Sequence, residues 1–251
     1  MKHQEFFWVE PEDVFSNHLI LRGTEQKHLI QVLRKKIGDW ASATDGQGHV
    51  YDFFITEIEK NQVKGQIQKK RRRVGEPFFR VTLAQALLKG DHFEWVLEKG
   101  TEIGVTQFIP FSSEYSVAAD VTPTRLNRYR RIVREALKQC GRSVVPAVNE
   151  PVPFSELLTM APNYQLKLLA HPDKGALAMR FLLDSRIKNR PPSSFRNGLV
   201  LIGPEGGFSL EEIQQARAQG FDLVTLGKRR LRAETAALVC TTILMEKMGE
   251  L

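Results

Sequence analysis

The sequence predicts an α/β protein in two parts, a mainly parallel sheet with helices on both faces preceded by a small β-barrel. From Phe78 onward, short apolar runs alternate with stretches of helical period, as in parallel sheets whose faces are covered by helices. The chain before this point instead shows short segments of period 2 around a single helical stretch. The basic run Lys69–Arg73 is interpreted as a linker, which gives an N-terminal domain at 1–73 and a larger domain at 74–251.

The N-terminal part is expected to hold extended segments, one helix and a hairpin. Their predicted positions are Phe6–Val9 and His18–Leu21 (extended), Thr24–Lys35 (helix), Trp40–Thr44 with His49–Glu59 (hairpin) and Val63–Ile67 (strand). Thr24 is expected to cap the helix, and three apolar residues are expected to face inward from it: Leu29, Val32 and Leu33. The Asp45-Gly46 pair between the hairpin strands is typical of a tight turn.

The larger part is expected to alternate strands and helices. Its predicted strands are Arg80–Leu88, Val105–Phe111, Leu166–Ala170, Leu199–Ile202 and Leu223–Leu226, and its helices begin at Asp91, Thr124, Ser209 and near Ala233. Two helix starts carry a capping pair three residues apart, Asp91 with Glu94 and Ser209 with Glu212. The helix Thr124–Cys140 is expected to present five basic residues on its outer face: Arg125, Arg128, Arg131, Arg134 and Lys138.

Two of these strands end in loops with little side-chain bulk. The apolar run Leu199–Ile202 ends at Gly203-Pro-Glu-Gly-Gly207, and the run Leu223–Leu226 ends at Gly227. Because the carboxyl ends of parallel strands share one edge of a sheet, these loops are expected to border a crevice in which a ligand binds.

The ligand is expected to be neutral or cationic. The sequence has neither a Gly-x-Gly-x-x-Gly segment after a strand nor a Gly-Lys-Ser/Thr phosphate loop. Glu205 within the first glycine loop would also repel a phosphate. The alternative is that the glycines only permit tight turns, but the tandem loops and the charged residues of the second favour a site. Those charged residues are Arg229, Arg230, Arg232 and Glu234.

Composition sets further bounds on the class of protein. A formal charge of +7 over 251 residues is compatible with a polyanionic partner. No apolar run approaches the ~20 residues of a membrane span, and the start of the chain lacks a signal-peptide core. Cys140 and Cys240 are far apart in the sequence and are expected to be free thiols of a cytoplasmic protein, with no metal site.

The two glycine segments resemble the signature segments of a known family. Leu201-Ile-Gly-Pro-Glu-Gly-Gly-Phe-Ser209 and Leu226-Gly-Lys-Arg-Arg-Leu-Arg-Ala-Glu-Thr-Ala236 are similar to those of the bacterial 16S ribosomal RNA uridine-N3 methyltransferases, which belong to the SPOUT class. Further matching segments are His28–Arg34, Gly38-Asp39, Lys89–Asp91, Lys99–Val105, Gln139–Ser143 and Pro146. Arg230 departs from the family pattern, in which an aliphatic residue is expected.

The resemblance implies a fold and an assembly. It implies a trefoil-knotted methyltransferase domain, in which the chain after about Gly203 threads a loop, and a PUA-like RNA-binding module at the N-terminus. It also implies a homodimer whose interface helps to build the active site. The implied reaction transfers the methyl group of S-adenosylmethionine to N3 of a uridine in ribosomal RNA of the small subunit.

The resemblance also implies site residues. Those expected to contact S-adenosylmethionine are His171, Leu201, Gly203, Gly206, Leu226, Gly227 and Leu231. Since N3 of uracil must lose its proton as the methyl group arrives, a cation or a base is needed. Arg232 is assigned the cationic role, while Glu205 and Glu234 are either bases or groups that orient an arginine.

Basic residues are the candidates for RNA contact, although a charge run is most often simply solvated. The residues selected are Arg22, Arg34, Lys35, Arg71, Arg72 and Arg142. Two alternative functions stay open: a SPOUT ribose 2′-O-methyltransferase, disfavoured because Glu98–Gly104 contains no Asn, and a non-catalytic RNA-binding assembly factor, disfavoured by the intact glycine loops. A dinucleotide-dependent oxidoreductase is excluded by the missing fingerprint.

Overall fold

A computed structural model describes residues 5–116, 121–172 and 175–251 of the chain. The chain divides into two compact units. The N-terminal unit holds the chain up to Glu76 together with Arg134–Val145, and the C-terminal unit holds Pro77–Val133 and Pro146–Leu251.

The N-terminal unit is built on a five-stranded curled sheet. Its elements are β1 (Phe7–Trp8), β2 (His18–Arg22), α1 (Gly23–Lys27), β3 (Trp40–Thr44), β4 (His49–Ile58) and β5 (Gln62–Arg72). The strand order is β1-β3-β4-β5-β2, with β1 parallel to β3 and the remaining pairs antiparallel. The predicted hairpin is therefore confirmed as β3 and β4. The core of the sheet is apolar and includes Leu19, Leu21, Phe53 and Ile55.

The helix predicted for Thr24–Lys35 differs from the observed structure. Regular α1 ends at Lys27, and a π-helical turn occupies His28–Val32, with the Leu33 amide bonded to the carbonyl of His28. Because the wider turn changes the angular spacing of the side chains, Leu29 is buried while Val32 and Leu33 are 66% and 44% exposed. The inward placement of Val32 and Leu33 was therefore wrong, and Thr24 lies within α1 rather than at its cap.

The basic run Lys69–Arg73 also differs from its predicted position between the two domains. Lys69–Arg72 lies within β5, in register with β4, so the interpretation of these residues as a linker was wrong. The ladder extends β5 well past the predicted end at Ile67.

The C-terminal unit is a parallel sheet with helices on both faces. Its strands are β6 (Arg80–Ala86), β7 (Val105–Ser112), β8 (Ala147–Val148), β9 (Val152–Pro153), β10 (Leu166–Ala170), β11 (Leu177–Ala178), β12 (Asn197–Ile202) and β13 (Asp222–Thr225). Its helices are α2 (His92–Ile103), α3 (Pro123–Cys140, which continues into the N-terminal unit), α4 (Phe154–Thr159), α5 (Met179–Asn189), α6 (Leu210–Ala218) and α7 (Ala233–Lys247).

The sheet order is β11-β13-β10-β12-β6-β7-β8, with β9 paired to β7 and every pair parallel. One face packs against α4 and α6 around Phe111, Phe154 and Phe208. α2 and α7 pack against each other, and α7 also contacts β6 and β12. After β12 the chain crosses β10 to form β13, and α7 then returns to β12 and β6, which is the path of a SPOUT-type fold. The predicted fold class is confirmed.

Three predictions about helix ends and faces have different outcomes. Ser209 and Glu212 form the complete capping box at α6, as predicted. Asp91 does precede α2, but its side chain makes no capping bond, and Glu94 instead accepts a 2.6 Å hydrogen bond from Arg128. Lys138, expected on the outer face of α3, is buried against Glu25.

Lys138 keeps its charge because two carboxylates compensate for its burial. Its Nζ lies 2.6 Å from Oε1 of Glu25 and 2.7 Å from Oε2 of Glu135. Burial alone would lower the pKa of Lys138, but the hydrogen bonds to these two carboxylates outweigh it and raise the pKa above its ordinary value. Periodicity alone does not reveal such a pair.

No described helix is both long and apolar enough to cross a membrane.

Candidate functional site

A cavity of about 850 Å³ lies at the carboxyl edge of the parallel sheet. Its walls come from the segments that follow β10, β12 and β13 and from the first turns of α2 and α7. The volume is within the range of small-molecule sites, and the place is the one at which open α/β sheets bind ligands. The two glycine loops therefore meet at one cavity, as their positions after neighbouring strands indicated.

The first glycine loop leaves no space for larger residues at two positions. A Cβ atom on Gly203 would lie 3.0 Å from Cε2 of Phe208, and one on Gly206 would lie 2.8 Å from Cβ of Tyr115. At Gly203 and Gly206 the wall of the cavity is therefore formed by backbone, with Phe208 and Tyr115 packed against it. Phe208 is itself fixed by stacking against Phe111 at 6.2 Å.

The second glycine loop needs its glycine for a different reason. Gly227 has φ of +133°, a backbone conformation that side chains disfavour, and its amide bonds Oγ1 of Thr225. The turn directs Leu226 and Leu231 toward the cavity, where they add apolar surface to its walls.

Arg230 connects the two glycine loops. Its guanidinium donates a 3.1 Å hydrogen bond to the backbone carbonyl of Glu205. The Glu205 carboxylate in turn accepts a 3.5 Å hydrogen bond from the Lys89 amide. The departure from the expected aliphatic residue at Arg230 therefore places a polar contact between the two loops.

Three charged or titratable side chains contribute most to the chemistry of the cavity. Arg232 is the N-cap residue of α7 and is exposed, and in the described part of the chain no side chain or backbone group bonds its guanidinium. Glu234 is largely enclosed, with 12% of its side chain exposed, and its Oε1 lies 3.4 Å from Nδ1 of His92. The cavity thus combines a cation that has no partner among the described residues with a carboxylate that is largely screened from solvent.

Most residues predicted for the cofactor and for catalysis line this one cavity. They are His171, Gly203, Glu205, Gly206, Leu226, Gly227, Leu231, Arg232 and Glu234. Leu201 is the exception, because its side chain is fully buried in the core beneath the loop. Sequence reasoning missed His92, which lines the cavity and was detectable as the first residue of a helix that follows a neighbouring strand.

The basic residues predicted to contact RNA have unequal surroundings in the N-terminal unit. Arg22 pairs with Asp13, and Arg71 holds Asp52 through two hydrogen bonds of 2.9 and 2.6 Å, although both arginines stay partly exposed. Arg34 and Arg72 are exposed and Lys35 is half-buried. Arg34 also has φ of +53°, which is uncommon for a residue other than glycine.

Arg142 does not fit an RNA-contact role. Only 4% of its side chain is exposed, and its guanidinium lies 2.9 Å from Oε2 of Glu76. Oε1 of Glu76 accepts hydrogen bonds from the amides of Ser143 and Val144. The assignment of Arg142 to RNA is therefore withdrawn, since a buried and paired guanidinium is not available to a phosphate.

The cavity fits S-adenosylmethionine, the cofactor that the resemblance implies. Glycine backbone and leucine side chains suit a neutral adenosine, and the carboxylates of Glu205 and Glu234 are available beside a sulfonium, in a lining that also holds the basic residues Lys228, Arg229, Arg230 and Arg232. In residues 5–116, 121–172 and 175–251 no group of three or more potential ligands is placed to hold a metal ion.

Comparison with family models gives two matches. Residues 75–245 match an RNA methyltransferase domain, and residues 21–68 match an RNA methyltransferase PUA domain. The first match alone covers more than half of the chain.

Similar proteins and structures agree with these matches. The ribosomal RNA small subunit methyltransferase E of Mesomycoplasma hyopneumoniae is 35% identical over 76% of this chain and 80% of its own length. The protein of the same name from Synechocystis is 33% identical over 92% of this chain and 74% of its own. The crystal structure of a ribosomal RNA small subunit methyltransferase E from Neisseria gonorrhoeae bound to S-adenosyl methionine aligns with a TM-score of 0.81 at 29% identity, covering 97% of this chain and 98% of that one.

The comparisons therefore agree with the fold, with the cofactor that fits the cavity and with the resemblance of the glycine segments. The chain belongs to the ribosomal RNA small subunit methyltransferase E family of RNA methyltransferases.

Proposed function

We propose that this chain transfers the methyl group of S-adenosylmethionine to N3 of a uridine in 16S ribosomal RNA of the small ribosomal subunit. The observation that carries the proposal is Arg232, a cation for which the described part of the chain offers no bonding partner, in a cavity lined by two glycine loops. A site that leaves an arginine free of protein partners is suited to an anion that forms only during the reaction.

The bound cofactor supplies an electrophilic methyl group on a sulfonium. The chain supplies the enclosure: the backbone at Gly203 and Gly206 forms one wall, and Leu226 and Leu231 form apolar surface opposite it. Leu201 acts from behind, because its buried side chain supports the start of the first loop.

Arg232 is assigned to stabilise the negative charge that develops on uracil as N3 loses its proton. Glu234 is assigned as the acceptor of that proton, because it lines the cavity and is largely screened from water. Glu205 is exposed, and its carboxylate lies toward the Lys89 amide, so we assign it to holding the loop. General-base help of this kind contributes typically ~10²–10⁴-fold.

The N-terminal unit is assigned to RNA binding. Arg34, Lys35 and Arg72 are the strongest candidates, while Arg22 and Arg71 contribute through the part of each guanidinium that solvent still reaches. Unpaired or irregular RNA is the expected target, since N3 lies on the pairing edge of uracil. We further propose that the enzyme acts in the cytoplasm as a homodimer, in keeping with the resemblance of its signature segments.

The product of the reaction tests this proposal. The chain is incubated with labelled S-adenosylmethionine and with either small subunits or naked 16S RNA that lack the modification, and the modified nucleoside is identified by chromatography and mass spectrometry. N3-methyluridine is the expected product. A 2′-O-methyl nucleoside would overturn the assigned chemistry, and cofactor binding without transfer to either substrate would favour a non-catalytic RNA-binding protein.

A further inference from the structure

The segment 32–40 of the N-terminal unit concentrates exposed apolar and basic residues. Four of its side chains are large, apolar and exposed: Val32, Leu33, Ile37 and Trp40. Three consecutive basic residues, Arg34, Lys35 and Lys36, separate them. We call Trp40, its strand neighbour Phe54 and the basic residues 34–36 the aromatic–basic surface.

Trp40 and Phe54 form its apolar part. They lie directly opposite each other in the β3–β4 ladder, with ring centroids 6.1 Å apart at an interplanar angle of 63°. Such an edge-to-face pair contributes to sheet stability, which by itself would explain the two residues. Yet Trp40 as a whole residue remains 54% exposed, so its contact with Phe54 does not bury it.

The loop that carries the basic residues is held beside this pair. The Lys36 amide donates a 2.8 Å hydrogen bond to Oδ2 of Asp39, the Gly38 amide bonds the Ile55 carbonyl, and the Ile55 amide bonds the Asp39 carbonyl. Arg34 has the uncommon φ of +53° within the same loop. A non-glycine residue in this conformation costs free energy, and residues held in such conformations are concentrated at functional sites.

The charge of the surface favours an anion. Segment 32–40 has three basic residues and one acidic residue, a net charge of +2. The nearest acidic residue on the same face of β4 is Asp52, and its carboxylate is neutralised by two hydrogen bonds from Arg71. An apolar ring with adjoining cations matches a nucleotide, which offers a flat base and a phosphate.

We infer that the aromatic–basic surface binds single-stranded RNA, with an unpaired base stacked on Trp40 and adjoining phosphates at Arg34, Lys35 and Lys36. This inference rests on the proposed function, and it adds the subsite by which the N-terminal unit holds its RNA. Stacking on an aromatic residue tolerates any base, so the subsite supplies affinity and leaves the choice of nucleotide to other contacts.

The test compares Trp40→Ala, Trp40→Phe and Trp40→Leu, with Trp95→Ala as the matched control. Trp95 is also an exposed tryptophan, 44% exposed, and lies on α2 of the C-terminal unit. The probe is naked 16S RNA lacking the modification, bound to the full chain and followed by a filter or fluorescence titration. Alanine at position 40 is expected to weaken RNA affinity by about 5-fold or more, phenylalanine by less, and Trp95→Ala not at all.

A second readout separates stacking from general apolar contact and from charge. Quenching of tryptophan fluorescence by RNA should be smaller in Trp40→Ala than in Trp95→Ala. Trp40→Ala should leave the salt dependence of binding unchanged, whereas Arg34→Ala should lower its slope by about 0.7. Circular dichroism and thermal unfolding of each variant identify any loss of fold.

The outcomes are distinct. Unchanged RNA affinity in folded Trp40→Ala, or wild-type affinity in Trp40→Leu, would overturn the stacking subsite while methylation by the wild type still upholds the proposed function. Weaker binding to assembled subunits with unchanged binding to naked RNA would assign the surface to a ribosomal protein and overturn it as well. If the wild-type chain methylates neither the naked RNA nor the small subunit, the proposed function itself fails.

Discussion

Arg142 and Arg232 both lie in segments that resemble the family signatures, yet their surroundings are opposite. Arg142, in the N-terminal unit, is buried and ion-paired with Glu76. The second carboxylate oxygen of Glu76 accepts hydrogen bonds from the backbone amides of Ser143 and Val144. Arg232, at the cavity of the C-terminal unit, is exposed and has no partner among the residues that the structure describes. Motif membership therefore does not distinguish an arginine that stabilises the fold from one that is available to a ligand; its partners do.

The two environments have different energetic consequences. Removing one member of a buried pair leaves an uncompensated charge, which destabilises the folded state. An exposed arginine without a partner contributes little to stability, so its presence in a cavity is best explained by what binds there. Substitutions in the two units distinguish residues that contribute to stability from residues that contribute to binding.

The largest effect is expected at the first glycine loop. Gly206→Val should weaken S-adenosylmethionine binding by more than about 100-fold, because the new Cβ would lie 2.8 Å from Cβ of Tyr115 and displace the wall of the cavity. Calorimetric titration measures the affinity. Ala218→Val, which adds bulk at an exposed position of α6 that does not line the cavity, is the control and should bind normally. Unchanged affinity in Gly206→Val would exclude this cavity as the cofactor site.

Arg142→Ala should lower the free energy of unfolding by about 3–5 kcal/mol, since it leaves the Glu76 carboxylate buried without its cation. Arg22→Ala removes a similar pair with Asp13 from the surface, where 52% of the arginine side chain is exposed, and should cost less than about 1 kcal/mol. Urea unfolding gives both values. Equal effects would show that the burial of Arg142 does not decide its role.

The exposed basic residues should act on RNA affinity and leave stability unchanged. Arg34→Ala combined with Arg72→Ala is expected to reduce the slope of log affinity against log salt concentration by about 1.4 for single-stranded RNA. The measurement is a binding titration at several salt concentrations. An unaltered slope would mean that these side chains are only solvated.

The smallest effect concerns Asp45 in the β3–β4 turn. Burial would raise the pKa of Asp45, but hydrogen bonds from the Gln47 and His49 amides and from the side chains of His49 and Tyr51 together lower it below its ordinary value of 3.8. A depressed folded-state pKa stabilises the fold above the unfolded-state value, and this contribution is lost as the pH falls through the folded-state pKa.

Stability of the wild type should therefore fall more steeply between about pH 5 and about pH 2 than that of Asp45→Asn, which keeps the hydrogen-bond acceptor but does not titrate. Urea midpoints measured across this range give the comparison. Parallel curves for the two proteins would show that Asp45 is not the source of the acid sensitivity.

The sequence predicted the fold well where hydrophobic period and turn chemistry act locally. The β3–β4 hairpin, the parallel strands and the Ser209 capping box follow from residues that are close in the sequence. The curled N-terminal sheet was predicted from short strands around one helix. The SPOUT-type path was predicted only from the resemblance, because hydrophobic periodicity does not show the order in which strands lie in a sheet.

The failures have two physical causes, which are partners distant in the sequence and a local departure from regular helix. Lys138 was expected in solvent because helical period ignores Glu25, and Arg142 was expected to meet RNA because its motif does not reveal Glu76. Val32 and Leu33 were misplaced because a π-helical turn changes the spacing on which the period depends. At the cavity, the glycine loops were readable, but His92 comes from another part of the chain and is brought there by the fold.

The most direct test of the account is the single-turnover rate of methyl transfer by Arg232→Gln beside Arg229→Gln, each with saturating S-adenosylmethionine and with unmodified small subunits. Arg229 lies in the same loop, is likewise exposed and has no partner in the described chain, so it controls for loss of charge. We predict that Arg232→Gln lowers the rate by about 100-fold with cofactor affinity unchanged, while Arg229→Gln lowers it by less than about 5-fold. Equal rates in the two variants would contradict the assignment of Arg232 to the reaction.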